Sequence, residues 1–252
     1  MIMTHIDNRL QLGYGSAWHV LRCLGYRRKA FSNHISQAIG ANSIEWLDFL
    51  AGGTGLYPTL APIRDSELTR IDFAPDAIQN SYDGFWPRSG SQQTWDLIGL
   101  ADIGGPRREF VLVEAKAHTA EINLDGTQAK ENGGRPAIRG AFTSTLLSMG
   151  YSVEEAAPIA EKWLSGCYQH ANRLATLYFL LREQVPARLV FLYFCGDMHP
   201  QGKWNCPKSP DEWRPSLDKV KEHLGLRGGS DIEKRTHDVF VNVDRIDTGD
   251  LS

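Results

Sequence analysis

The sequence predicts an α/β fold of the α+β type, with helices packed on a mixed β-sheet. Three stretches predict it. Thr94 to His118 reads as two alternating strands joined by a Gly-Gly-Pro turn. Arg188 to Cys195 is a continuous run rich in apolar residues, as expected of a strand covered on both faces. Ala160 to Arg182 carries apolar residues at helical spacing, which predicts a long helix beside that strand.

Length and composition predict a single domain over residues 1–252. The chain is 42% hydrophobic and 10% aromatic, which is enough for a sizeable core and excludes a disordered chain. We expect a helical N-terminal part at 1–53, a core at 54–196, and a C-terminal helix and edge strand at 197–252. The net charge of −3 argues against coating nucleic acid by bulk charge, but it allows a local basic groove.

We expect a cytoplasmic protein with no membrane partner. The first residues, MIMTHIDNRLQ, lack the apolar segment of a signal peptide. The longest apolar run, Leu189 to Cys195, is far too short to span a bilayer. Four cysteines stand at scattered spacings without a CxxC pair, so we predict reduced thiols. They are Cys23, Cys167, Cys195 and Cys206.

The N-terminal region, residues 14–51, reads as three helices. The third is expected after Asn42 or Ser43, with Ile44, Leu47 and Leu50 as its apolar stripe. Glu45 then lies in its first turn, where a carboxylate either complements the helix dipole or is available to a metal. A short strand is expected around residues 68–73.

The hairpin holds the candidate chemistry. If the chain turns at Gly105, residue 98 faces 112 and Asp96 faces Glu114. Lys116 projects from the same face, two residues further along. Two adjacent carboxylates call for a divalent cation, and hard oxygen ligands suit Mg²⁺ or Mn²⁺. The competing interpretation is an edge hairpin with a cross-strand salt bridge and two solvated acids.

Beyond the hairpin, helices are predicted at 141–149, after a cap at Ser152, and as a long helix near Ala160 to Arg182. Gln169 and Arg173 share one face of that long helix, at positions i and i+4. A buried strand at 188–195, a helix near 211–224 and a final edge strand at 237–243 complete the chain.

Asp96 followed by Glu114-Ala115-Lys116 on the next strand resembles the PD-(D/E)xK nuclease superfamily. The resemblance implies a restriction-endonuclease-like αβββαβ core, here with a helical N-terminal region and insertions. Gln169 looks like the glutamine that some members carry on the following helix, and Glu45 looks like an upstream glutamate that some members use as an extra metal ligand. The proline of the motif is absent, because Trp95 precedes Asp96.

The resemblance further implies a Mg²⁺-dependent nuclease that hydrolyses DNA. Asp96, Glu114 and the carbonyl of Ala115 would bind Mg²⁺ or Mn²⁺. Lys116 would contact the attacking water or the phosphate, and Gln169 would orient one of them. Arg173 would bind a backbone phosphate. The basic group Arg22, Arg27, Arg28 and Lys29 is either a second phosphate track or a solvated helix end.

Two other functions remain open from the sequence. One is an RNA-directed nuclease of the same fold, and the other is a non-catalytic nucleic-acid-binding or scaffolding module. A homodimer is expected if both strands of a duplex are cut.

Overall fold

The computed structural model describes residues 13–47, 78–87, 95–106, 108–122, 125–199 and 206–246, with residues 202, 248 and 251. The expected strand at 68–73 lies outside these residues. Within the described ranges, no helix is both long enough and apolar enough to cross a membrane.

Eight α-helices and five strands make up the described part of the chain. The helices are α1 (Ser16–Tyr26), α2 (Arg28–Ile39), α3 (Ile78–Phe85), α4 (Arg135–Ser148), α5 (Val153–Ser165), α6 (Tyr168–Arg182), α7 (Pro210–Leu224) and α8 (Asp231–Lys234). The strands are β1 (Ser43–Trp46), β2 (Leu97–Asp102), β3 (Glu109–Lys116), β4 (Ala187–Cys195) and β5 (Thr236–Asn242). Short 3₁₀ turns follow β3 at Thr119–Glu121 and β5 at Val243–Arg245.

The strands form one mixed sheet in the order β1-β2-β3-β4-β5. The β1–β2 and β2–β3 pairs are antiparallel, whereas β3, β4 and β5 run parallel. The register of the hairpin pairs Ile98 with Leu112, as predicted. The mixed α/β class is therefore confirmed, and strands from all three predicted portions of the chain join the same sheet.

Helices cover both faces of this sheet. One face, with Ile98, Leu112 and Phe191, packs against α4, α5, α6 and α7. The other face, with Val111, Val113 and Leu192, packs against α1 and α2. Every residue of β3 is buried, because this central strand is covered on both sides. The interpretation as a solvated edge hairpin is therefore wrong.

The third N-terminal helix predicted after Ser43 is wrong, because residues 43–46 form β1. Their burial alternates, with Ile44 and Trp46 buried and Ser43 and Glu45 exposed. This is the period of a strand. Gly99 of β2 permits the pairing: a Cβ there would lie 2.7 Å from Ile44 Cγ2 and 2.8 Å from Trp46 Cε3. Tertiary pairing thus overrides a local pattern that favoured a helix.

The predicted long helix is two helices, α5 and α6, separated at Gly166 and Cys167. Cys167 has a left-handed backbone with φ 51°, which ends the helical path and redirects the chain. The helix predicted at 141–149 starts earlier, at Arg135. The cap at Ser152 is confirmed as a capping box with Glu155.

The strand predicted at 188–195, the helix near 211–224 and the final strand are confirmed within one residue at each end. All four cysteines are free thiols, as predicted. The C-terminal strand β5 is the edge of the sheet opposite β1.

Candidate functional site

Asp96 and Glu114, the carboxylate pair, lie side by side on adjacent strands. Asp96 stands one residue before β2, and its N–H donates to the Val113 carbonyl at 3.1 Å. Its Oδ2 accepts a hydrogen bond from the Ala115 N–H at 2.7 Å. The register of the β2–β3 pair, extended by one residue from Leu97 opposite Val113, sets Asp96 opposite Glu114. The two acids are therefore adjacent in the fold, as predicted.

Glu114 is almost fully buried, at 2% exposure, and both of its oxygens accept hydrogen bonds from cations. Lys116 Nζ donates to Oε1 at 2.5 Å. Arg173 donates to Oε2 through Nε at 2.9 Å and Nη2 at 2.7 Å. Burial alone would raise the pKa of Glu114, but the charges of Arg173 and Lys116 outweigh it and lower the pKa to about 2. Glu114 is thus held as a carboxylate.

Asp96 has the opposite electrostatic environment. Burial raises its pKa to about 7, and the neighbouring Glu114 carboxylate adds to the rise. Lys116 and the hydrogen bond from the Ala115 N–H only partly offset it. The pKa of Asp96 is therefore near neutral, because burial disfavours its charge and the two nearby cations, Lys116 and Arg173, both contact Glu114 instead.

Lys116 links the carboxylate pair to α6. Its ammonium also donates to Gln169 Oε1 at 2.9 Å. Gln169 and Arg173 reach the same cluster, as their spacing on one helix face predicted. Lys116 as a whole is 6% exposed, and the position of its ammonium is set by Glu114 and Gln169.

Arg173, the predicted phosphate-binding residue, is buried and contacts Glu114. It is 2% exposed, it holds Glu114, and its guanidinium lies 4.3 Å from the centroid of the Trp95 ring. These contacts make it a positioning residue for Glu114. Trp95, which the sequence showed only as the residue in place of the motif proline, forms the wall against which Arg173 stacks.

Glu45 does not join the carboxylate pair. It lies on β1 opposite Leu100, four residues along β2 from Asp96, a separation of about 13 Å. Its Oε2 accepts from Arg108 Nη1 at 2.5 Å in a solvent-exposed pair. The prediction of Glu45 as an extra metal ligand rested on a helix before the sheet, and no helix forms there.

The basic group lies at the junction of α1 and α2, which pack on the opposite face of the sheet. Arg28 and Lys29 are exposed, and Arg27 Nε donates to the Ile246 carbonyl at 3.2 Å. Arg22 approaches the buried His19–Asp197 pair through His19 Nδ1 at 3.4 Å. The sheet therefore separates these residues from the carboxylate pair. A phosphate track through them would not continue to that pair.

Side chains able to hold a metal are few. Among the described residues, no group of three or more His, Cys, Asp and Glu side chains is arranged for a metal ion. The carboxylate pair supplies two ligands. In a strand, the N–H and C=O of one residue point to the same neighbour, so the Ala115 carbonyl also points to the side of Asp96. Two carboxylates and one carbonyl fit Mg²⁺, which keeps several waters and needs few protein ligands.

Sequence reasoning missed His170. It follows Gln169 on α6, is 3% exposed, and stacks on Phe191 with ring centroids 4.7 Å apart. Only the tertiary packing reveals it, because a lone histidine on a helix carries no sequence signature. It lies beside the carboxylate pair but contacts a different part of the sheet.

Comparisons of this chain with protein-family profiles, with curated proteins and with solved structures returned no significant match.

Proposed function

We propose that this protein is a metal-dependent phosphodiesterase that hydrolyses DNA, with Asp96, Glu114, Lys116 and Gln169 as its catalytic group. One observation carries the proposal: two carboxylates lie side by side on one face of the sheet, and the ammonium of a lysine on the same face donates to Glu114 and to Gln169. This donor set combines sites for a hard cation with a positive charge for a phosphate oxygen.

The order of elements supports the finer description of the fold. Helix α2, strands β1, β2 and β3, helix α6 and strand β4 follow each other in the order expected of a restriction-endonuclease-like αβββαβ core. In this proposal α3 is an insertion between β1 and β2, and α4 and α5 are an insertion between β3 and α6. The elements α7, α8 and β5 extend the core at its C-terminal end.

A divalent cation, Mg²⁺ or Mn²⁺, would be held by Asp96, Glu114 and the Ala115 carbonyl. When bound, it would supply a water of lowered pKa and offset negative charge on the phosphate. The raised pKa of Asp96 supports this assignment, because a bound cation would stabilise the ionised form of a carboxylate that burial and the neighbouring Glu114 disfavour. The metal would then compete with the proton on Asp96.

The other residues of the site would orient the attacking water and neutralise negative charge. Lys116 is held within hydrogen-bond distance of Glu114 and Gln169, so its charge is directed to the place where a phosphate oxygen would lie beside the carboxylate pair. Gln169 offers an amide that can orient the attacking water. Arg173 keeps Glu114 ionised and fixed. A two-fold dimer is the assembly we expect if both strands of a duplex are cut.

The test is cleavage of mixed-sequence genomic DNA, with Mg²⁺, Mn²⁺ or EDTA, by the wild-type protein and by Lys116→Met. We expect cleavage only with metal, and a loss of about 10² to 10³ in rate for the variant because one charge at the phosphate is removed. Lys219→Met removes an exposed lysine of α7 and is the control expected to cleave as the wild type does. Cleavage in EDTA, or undiminished cleavage by a folded Lys116→Met protein, would contradict the proposal. A parallel digest of total RNA distinguishes an RNA-directed enzyme.

A further inference from the structure

A cavity of about 360 Å³ lies beside the carboxylate pair, on the same face of the sheet. It opens to solvent and is lined by α6, α7, the segment around α8, and strands β4 and β5. The strand register connects the two places. Glu114 is paired with Phe191, and Phe191 is paired with Asp238, in one row across β3, β4 and β5. Phe191 and Asp238 line the cavity, so its floor begins one strand, about 5 Å, from Glu114.

The walls of the cavity are apolar and its floor is aromatic. Leu174, Leu217 and Val220 come from the surrounding helices, and Phe191 and Tyr193 come from β4. Its size falls within the range of small-molecule sites, which typically pair apolar walls with a few polar groups. His170 stacks on Phe191, so the aromatic surface of the cavity comes from this stacked pair and from Tyr193, and such surfaces favour flat ring systems.

His170 is among the lining residues, and its ring carries two buried nitrogens that lack hydrogen-bond partners among the described residues. Burial lowers the pKa of His170 to about 4, and the charge of Lys116 adds to the effect, so the ring is neutral at pH 7. A neutral imidazole has one donor and one acceptor, and leaving both unmet in a buried place is costly.

The formal charges of the side chains that line the cavity sum to zero. Its lining contains two cations, Lys221 and Arg227, and two carboxylates, Glu233 and Asp238. Lys221 Nζ lies 2.8 Å from Asp238 Oδ2. A strongly charged ligand gains little from a balanced rim, and a purely aliphatic one would leave His170 unmet. A flat, uncharged ring with polar edges satisfies both conditions.

We infer that this cavity binds an uncharged heteroaromatic base. The base packs against the aromatic and apolar lining and forms a hydrogen bond with His170. The identity of the ligand as a nucleic-acid base rests on the proposed function, whereas the existence of the ligand site rests on the cavity itself. The base has two sources: a free nucleoside, or an unstacked base of the strand whose phosphate lies at the carboxylate pair. The single strand spacing between Glu114 and the cavity floor suits the second source.

The two sources are separated by calorimetric titrations in EDTA, so that no cleavage occurs. One series uses adenosine and cytidine. The other uses a single-stranded DNA oligonucleotide and a fully abasic chain of the same length, which has the same phosphate charge. Each ligand is titrated into the wild type, Val220→Phe and His170→Phe, with Val220→Ile as the control that keeps an aliphatic wall. Circular dichroism verifies that each variant is folded.

Val220→Phe fills the cavity and His170→Phe removes the ring nitrogens while keeping a ring on Phe191. We expect each to weaken binding of a base about tenfold or more, without changing the affinity for the abasic chain. Weakened nucleoside binding identifies a free ligand. An effect confined to the base-bearing oligonucleotide identifies a base of the bound strand.

The inference is overturned if the wild type binds neither nucleosides nor the base-bearing strand more tightly than the abasic chain. It is also overturned if folded Val220→Phe binds them as the wild type does. A protein that cleaves DNA but shows this result retains the proposed function and loses the base site. A protein that binds nucleosides but has no cleavage activity retains the base site and loses the proposed function.

Discussion

At the scale of single residues, the carboxylate pair is asymmetric because two cations face Glu114 and fewer compensate Asp96. Glu114 accepts from Lys116 and Arg173, while Asp96 accepts from the Ala115 N–H. The pKa values move apart accordingly, to about 2 and about 7. Glu114 is therefore ionised at neutral pH, whereas Asp96 would bind either a proton or a metal.

The raised pKa of Asp96 predicts a pH dependence of stability without metal. The folded protein retains a proton on Asp96 that the unfolded chain loses above its ordinary pKa of 3.8. Stability therefore falls as pH rises from about 4 to about 7, and the full penalty applies above that. Asp96→Asn lacks the penalty and keeps an oxygen for the Ala115 N–H.

We expect the free energy of unfolding of Asp96→Asn in EDTA to exceed that of the wild type at pH 8 by on the order of 2 kcal/mol. The difference should shrink toward pH 5. Urea unfolding at both pH values measures it, with Asp218→Asn on the exposed face of α7 as the control. A difference that does not change with pH would show that Asp96 titrates normally.

The contacts of Arg173 predict that its substitution lowers the free energy of unfolding instead of weakening a contact with DNA. Arg173→Met removes a buried partner of Glu114 and should lower the free energy of unfolding by about 3 to 5 kcal/mol, because a buried carboxylate loses two hydrogen bonds. Chemical denaturation measures the loss. Arg182→Ala, at the exposed end of the same helix, should cost no more than about 1 kcal/mol.

The salt dependence of DNA binding provides an independent check on Arg173. A residue that does not contact phosphate leaves the slope of log affinity against log salt unchanged. A slope reduced by about one in folded Arg173→Met would instead assign it to a phosphate.

At the scale of elements, α6 is delimited by two residues with left-handed backbone. Cys167 precedes its first residue, and Gln184 follows its end with φ 61°. The Gln184 N–H bonds to the Leu181 carbonyl and the Val185 N–H bonds to the Leu180 carbonyl, the pattern of a Schellman cap. This cap stops the helix before Pro186 and sends the chain into β4.

Gln184 therefore occupies a position that favours glycine. Gln184→Gly should raise the free energy of unfolding by about 1 kcal/mol, because glycine adopts positive φ without the steric cost of a Cβ. Gln184→Ala retains the Cβ and should bring no such gain. Thermal unfolding of both variants makes the comparison, and equal stability of the two would show that the backbone at residue 184 carries no strain.

At the scale of the whole molecule, the proposed catalytic group combines Asp96, which precedes β2, with residues of β3 and α6. Asp96 and Gln169 are far apart in the sequence and are brought together only when the sheet and α6 pack. A cation bound by this group would bind the folded state alone and would stabilise the entire fold.

We accordingly expect Mn²⁺ to raise the stability of the wild-type protein, by about 2.7 kcal/mol at a concentration 100 times its Kd. The gain should be larger at pH 8 than at pH 6, since the proton on Asp96 competes with the metal. Thermal unfolding with and without Mn²⁺ measures the effect. The gain should be strongly reduced in Asp96→Asn, and an equal gain in that variant would exclude Asp96 as a ligand.

The hairpin was predictable because its determinants are local. Strand alternation and a turn at Gly104 to Pro106 determine which residues face each other, so the opposition of Asp96 and Glu114 follows from counting. The common face of Gln169 and Arg173 follows in the same way from helical periodicity. These short-range patterns carried the class of the fold and the proximity of Asp96 to Glu114.

Only the tertiary structure decided what each of these residues contacts. Residues 43–46 became a strand because β2 offered Gly99 as a place to pack, and this removed Glu45 from the site. Arg173 became the partner of Glu114 because α6 lies over the middle of the sheet, where a buried carboxylate must be neutralised. Contacts between segments dozens of residues apart depend on how sheet and helices pack, and no local spacing in the chain encodes that packing.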